Sequence, residues 1–122
     1  MKSRQLIAAL CLGAVLAGCA SENKYEREAD KITRAVMNND LAPVKNDIAP
    51  GANIPRVRVA AWADELDAQG KLISVKERPQ CDAGPGWHCF DAKFEKHDYI
   101  ERMMMDDQGK VVRWNFHMAD AS

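Results

Sequence analysis

Two cysteines and a histidine, Cys81, His88 and Cys89, lie within one short segment of the chain. Thiolate and imidazole groups bind zinc, and His97 or His117 could complete a set of four ligands. Such sites usually show C-x-x-C or H-x-x-x-H spacing, and the sequence has neither. We therefore expect no metal and no other cofactor. A disulfide is the alternative, and it depends on the compartment that the protein occupies.

Three apolar side chains are candidate binding residues. Trp87 lies beside glycines and a proline, so it is either an exposed anchor for a partner or a cover for the end of a sheet. Met103 offers adaptable apolar contact, although methionines more often fill a core. Trp114 is expected on the same face of the sheet as Met103. The sequence has no phosphate-binding glycine loop, nucleophile elbow or triad spacing.

Length and charge limit the class of protein. The 122 residues include 17 basic and 18 acidic ones without a basic block, which argues against nucleic-acid binding. Met1 to Gly18 has a charged start, an apolar middle and a small-residue exit, as secretory signal peptides do. This segment is too short to span a membrane. Its removal takes away two basic residues and no acidic one, which leaves an acid-leaning domain.

The exit of this segment, Leu16-Ala17-Gly18-Cys19, resembles the lipobox of bacterial lipoproteins. The resemblance implies cleavage before Cys19, lipid on its sulfur and acylation of the new amino group. Several acyl chains hold a protein stably at a bilayer. Ala20 and Ser21 after the cysteine imply the outer membrane, with the domain on its periplasmic face.

Two cysteines then remain for a disulfide, because Cys11 leaves with the signal and Cys19 carries lipid. The periplasm is oxidising, and the turn-rich segment between Cys81 and Cys89 can bring their sulfurs together. Loop closure over this segment is worth about 2.5 kcal/mol. We therefore predict a Cys81–Cys89 disulfide.

Helical spacing predicts two to three helices in the N-terminal half. The first begins at Asn23 with a capping-box pattern, and Asp40 can cap a short second helix. The segment from Pro55 to Gln69 has both alternating and helical features, and we favour a helix. The apolar stripe of the first helix consists of Tyr25, Ala29, Ile32 and Val36.

Alternating patterns predict four strands, with ranges Leu72 to Glu77, Cys89 to Glu95, Tyr99 to Met105 and Lys110 to Met118. Hairpin pairing places Glu101 opposite Ala92 and Trp114, on the apolar face. The same pairing sets Phe94 and Phe116 opposite Tyr99, and Phe90 and Val112 opposite Met103. The other face would carry Asp91, Arg102 and Arg113 in one row. That row could bind an anionic partner, although a solvated face of paired charges is the simpler interpretation.

A helix, the segment from Ala35 to Val44 (AVMNNDLAPV), a second helix and an antiparallel sheet together resemble the nuclear-transport-factor-2-like, or SnoaL-like, superfamily. The resemblance extends from Tyr25 to Met118 and implies helices packed on a curved sheet, in a cystatin-like cone. In enzymes of that superfamily an acid inside the cone acts as general acid or base, which makes Glu101 a weak catalytic candidate. We favour a structural role for it. A second, looser resemblance is to the small BamE-type lipoproteins of outer-membrane assembly.

The sequence thus predicts a signal peptide over residues 1–18, a lipidated tether over 19–24 and one α+β domain over 25–122. We expect a lipid-anchored envelope protein that binds a protein or a small apolar ligand without catalysis. The alternatives are an inhibitor or immunity lipoprotein against a periplasmic toxin, and a SnoaL-like enzyme that uses Glu101. The sequence does not specify the partner, the oligomeric state or whether a cavity exists.

Overall fold

A computed structural model describes residues 23–52 and 54–119, so the predicted signal peptide and the predicted lipidation site at Cys19 lie outside the described residues. The chain forms an α+β domain in which a helix-containing N-terminal region packs on an open four-stranded antiparallel sheet. Its elements are α1 (Lys24–Met37), a 3-10 helix (Ala42–Asp47), α2 (Arg56–Asp67), β1 (Leu72–Glu77), β2 (Trp87–Phe94), β3 (Asp98–Met105) and β4 (Val111–Met118).

The first helix begins where its capping pattern predicts. The side chain of Asn23 accepts a hydrogen bond from the backbone N–H of Glu26 at 2.7 Å, which satisfies one of the free donors of the first turn. Ala29, Ile32 and Val36 are fully buried, so the predicted stripe is the face that packs on the sheet.

The ambiguous segment after Pro55 is helical. Val59, Ala63 and Leu66 recur at helical spacing and are buried, and Pro55 stands immediately before α2, where its missing N–H costs nothing. The short helix after Asp40 is also present, in 3-10 form, and the Asp40 carboxylate accepts a hydrogen bond from the N–H of Ala42 at 3.0 Å.

The four strands follow one another in the sheet in chain order, but the predicted register is wrong by two residues in both C-terminal hairpins. Glu101 pairs with Phe90 and Phe116 instead of Ala92 and Trp114. Likewise Tyr99 pairs with Ala92 and Met118, and Met103 with His88 and Trp114. The shift has two causes: the β2–β3 turn closes earlier, with Phe94 N–H donating to the His97 carbonyl, and β4 pairing shifts between Met104 and Met105.

The shift of two residues leaves Tyr99, Glu101 and Met103 on the predicted apolar face, because strand side chains alternate with period two. The exception is the start of β4, where the irregularity between Met104 and Met105 leaves Val111 fully buried and the predicted Val112 only half-buried.

The shift does break up the predicted row on the outer face. Asp91 lies opposite Ile100, Arg102 opposite Cys89, and Arg113 opposite Met104. Asp91 and Arg102 instead form ion pairs with residues of the connection between β1 and β2. Arg78 lies 3.6 Å from Asp91, and Asp82 lies 3.3 Å from Arg102.

Among the described residues, no helix is long and apolar enough to cross a membrane.

Candidate functional site

The carboxyl group of Glu101 lies in the core between α1 and the inner face of the sheet. Its residue is 1% exposed, so the sequence-based placement on the apolar face is confirmed. One carboxyl oxygen is 2.6 Å from Trp114 Nε1, which donates to it. Both oxygens lie within 2.9 Å of the Thr33 hydroxyl on α1. Thr33 was not anticipated from the sequence, because it is 68 residues away.

The hydrogens in this cluster are consistent with a neutral Glu101. The Thr33 hydroxyl also lies 2.7 Å from the Ala29 carbonyl, and it has only one hydrogen to donate. If the Glu101 carboxyl group keeps its proton, it donates to Thr33 Oγ, Thr33 donates to the Ala29 carbonyl, and Trp114 donates to Glu101. Every donor then has an acceptor. If Glu101 were ionised, Thr33 would donate its hydrogen to the carboxylate, and the Ala29 carbonyl would lose that hydrogen bond.

Burial acts in the same direction and raises the pKa of Glu101 to about 8. The negative charge of Asp30 adds to this rise, while the hydrogen bonds from Thr33 and Trp114 oppose it. Because these partners enclose Glu101, its hydrogen bond with Thr33 links α1 to the sheet. A general acid or base must instead come within hydrogen-bond reach of its substrate.

A groove at the edge of β4 is the strongest candidate for a binding site. It has a volume of about 160 Å³ and is lined by Pro55, Arg58, Trp62, Trp87, Arg113, Trp114 and Asn115. Trp114 belongs to the inner face of the sheet, whereas Arg113 and Asn115 belong to the outer face. The groove therefore wraps around the edge strand, and we call it the β4-edge groove.

The β4-edge groove combines indole rings with cations. Trp62 stacks edge-on against Trp114, with ring centroids 5.0 Å apart, and the Arg58 guanidinium lies 5.7 Å from the Trp62 ring centroid. Within residues 23–52 and 54–119, neither Arg58 nor Arg113 forms an ion pair, and the Asn115 amide makes no hydrogen bond. Three donor groups thus face the groove without acceptors.

The predicted binding residues have different positions. Trp87 is half-buried and lines the β4-edge groove, so it neither protrudes freely nor lies wholly in the core. Trp114 is 4% exposed and lines the groove from the inner face of the sheet. Met103 is fully buried in the core. Arg58 and Trp62 are the groove residues that the sequence did not reveal, because their contribution depends on how α2 docks.

A second hollow, of about 390 Å³, lies between the start of α1 and the β3–β4 turn. His88 is held there, with Nδ1 2.8 Å from a Glu77 carboxylate oxygen and its ring stacked on Tyr25 at 3.9 Å between centroids. Burial and the neighbouring Asp47 carboxylate raise the pKa of Glu28, which also lines the hollow, to about 7. The His88 ring is thus already engaged by Glu77 and Tyr25.

A third and larger hollow, of about 520 Å³, follows the solvent side of α1. Its charges are already paired, with Arg34 2.7 Å from Asp30 and Lys31 2.9 Å from Asp47. We therefore place the candidate site at the β4-edge groove, where the cations are unpaired.

Cys81 and Cys89 form a disulfide, with their sulfur atoms 2.01 Å apart. The disulfide closes the loop that leads into β2, and Trp87 lies inside this loop. His88, His97 and His117 do not join the two sulfurs in a ligand set, and the described part of the chain contains no group of three or more His, Cys, Asp or Glu that could hold a metal.

Fold and site together define a small α+β domain with a sealed carboxyl network inside and a cationic, tryptophan-lined groove at one sheet edge. Comparisons with protein-family models, with curated proteins and with solved structures found no match for this chain.

Proposed function

We propose that this protein is a lipid-anchored envelope protein that binds a partner through the β4-edge groove without catalysis. The lipobox at Cys19 supports attachment to the outer membrane, on the periplasmic side. The groove is the observation that carries the binding proposal, since it gathers tryptophan and arginine side chains around one concave surface. These residue types dominate the binding energy of protein interfaces.

The sealed position of Glu101 supports binding over catalysis. Its oxygens are occupied by Thr33 and Trp114 inside the core, and no part of the β4-edge groove is formed by Glu101. A SnoaL-like enzyme that used Glu101 would have to open this cluster before a substrate could reach it.

The finer assignment of the fold, to the nuclear-transport-factor-2-like superfamily, is part of the same proposal. Its support is the packing of α1 on a four-stranded antiparallel sheet, with α2 beside α1 and its Trp62 against Trp114, and with an acidic residue inside.

The test is capture of the partner by the full-length chain from detergent-solubilised membranes, with Trp87→Ala compared to wild type. A central tryptophan contributes at least about 2 kcal/mol to an interface, so we expect roughly 30-fold weaker capture by W87A. Val57→Ala is the matched control, because Val57 is an apolar side chain on α2 that is 78% exposed and lies outside the groove. Equal recovery with wild type and W87A would overturn the proposal.

Attachment is tested separately with Cys19→Ser. We expect this variant in the soluble periplasmic fraction and the wild-type chain in the outer membrane. A wild-type chain found in the soluble fraction would contradict the lipid anchor but would leave the proposal of binding at the groove unaffected. If the captured protein is a toxin, the binding function takes the form of an inhibitor or immunity protein.

A further inference from the structure

We propose that the β4-edge groove receives an acidic, extended segment of a partner protein, which adds to the sheet alongside β4. This inference rests on the proposed binding function and names the chemistry of the partner. Three observations carry it: the open backbone edge of β4, the unpaired cations around that edge, and the size of the groove.

The first observation is the edge itself. β4 is the last strand of the sheet and pairs on one side with β3. On its other side, the parallel bridge between Ile48 and Val111 and the hydrogen bond from Ala49 N–H to the Val111 carbonyl cover only its first residue. From Val112 to Met118, the described segments place no strand on that side. Backbone donors and acceptors along an open edge are a template for an added strand.

The second observation is the charge. Arg58 approaches the edge from α2, and Arg113 projects from β4 itself. By contrast, Arg78 just after β1 and Arg102 on β3 have carboxylate partners, in Asp91 and Asp82. An acidic side chain on an added strand would supply the missing acceptor for both unpaired guanidinium groups, and the Asn115 amide could donate beside them.

The third observation is the size. The groove volume is about 160 Å³. Pockets that hold drug-sized ligands measure about 300 to 1,000 Å³. A groove of this size fits one side chain of the added segment, with the rest of the segment along the strand outside. In such an arrangement the backbone hydrogen bonds of the added strand provide affinity, and the pocket for its side chain provides specificity.

The probe is a synthetic peptide of about eight residues with alternating threonine and glutamate, the usual length range of a strand. Its counterpart replaces every glutamate by glutamine. Binding to the full-length chain in detergent is followed by amide hydrogen exchange. We expect the glutamate peptide to slow exchange along β4 and to leave the β1 edge unchanged, and we expect added salt to weaken binding.

The arginines are tested with the double variant R58Q/R113Q. It removes two positive charges, and we expect about tenfold weaker binding of the glutamate peptide. The matched control is R56Q/K93Q, which removes the same charge from exposed positions on α2 and the sheet but leaves the groove intact. Binding by this control within about twofold of wild type would assign the effect to the groove.

Three outcomes would overturn the inference: equal protection of β4 by the glutamine peptide, equal weakening by the two double variants, or protection by an acidic oligosaccharide but not by the peptide. The proposed function can survive each of them. If W87A loses the captured membrane partner while R58Q/R113Q keeps it, the groove binds a partner but does not select acidic segments.

Discussion

Replacing Glu101 by glutamine is expected to remove a large pH dependence from the stability of this protein. The pKa of Glu101 is raised from 4.5 to about 8 in the folded chain, and burial is the main cause. Between these two pH values the folded state holds a proton that the unfolded state has released. Its contribution to stability is therefore complete below the lower value and falls as the pH rises.

The size of the effect follows from the shift. Each unit of pKa difference corresponds to about 1.4 kcal/mol. Between pH 5 and pH 8, wild type should lose roughly 3.5 kcal/mol of unfolding free energy through this group alone. In the glutamine variant the amide N–H₂ can donate to Thr33 Oγ, and the amide oxygen can accept from Trp114 Nε1. The variant should match wild type within about 1 kcal/mol at pH 5 and exceed it at pH 8.

The measurement is urea unfolding of both chains at several pH values from 5 to 9, followed by tryptophan fluorescence. The difference in unfolding free energy between variant and wild type isolates Glu101 from other titrating groups such as Glu28. Asp64→Asn, at an exposed position on α2, serves as the control for loss of one surface carboxylate. A difference between E101Q and wild type that stays constant from pH 5 to pH 9 would refute the neutral-acid interpretation of the cluster.

Two further predictions concern the loop before β2 and the start of β1. Reduction of the Cys81–Cys89 disulfide should lower the unfolding free energy by about 2 kcal/mol, and thermal melting that is identical with and without reductant would contradict this. Gly70→Ala should destabilise by about 1 to 3 kcal/mol in urea unfolding, because Gly70 has φ +86° and an added Cβ would collide with the Glu95 side chain. Gly51→Ala, where an added Cβ meets nothing within 4 Å, should stay within about 0.5 kcal/mol, and equal effects of the two alanines would exclude strain as the cause.

The helices and strands could be predicted because their signals are local. The Asn23 cap, the stripe on α1 and the alternating residues of β3 each depend on neighbours a few positions away. The range of β1 agrees at both ends, from Leu72 to Glu77. The burial of Glu101 was also predictable, because a register error of two residues does not change the face on which a side chain lies.

The register itself could not be predicted for the same reason. Alternation fixes the face of each residue but tolerates any even shift, and only the turn geometry and the irregularity at Met105 select among these shifts. The partners of Glu101 and of the groove were hidden for another reason. Thr33, Arg58 and Trp62 reach the sheet only after their helices dock on it, and nothing in the local sequence specifies that docking.

The strand order of the sheet has a consequence for the sequence of folding events. Because each strand pairs with its chain neighbour, every hairpin closes a short loop, and such local contacts form quickly. The link between Thr33 and Glu101 instead spans 68 residues. When the chain is synthesised from its N-terminus, α1 and the Thr33 hydroxyl therefore stay exposed until β3 and β4 have been made. Release of the last strand brings Trp114 to Glu101, so the buried carboxyl cluster is the part of the core that closes last.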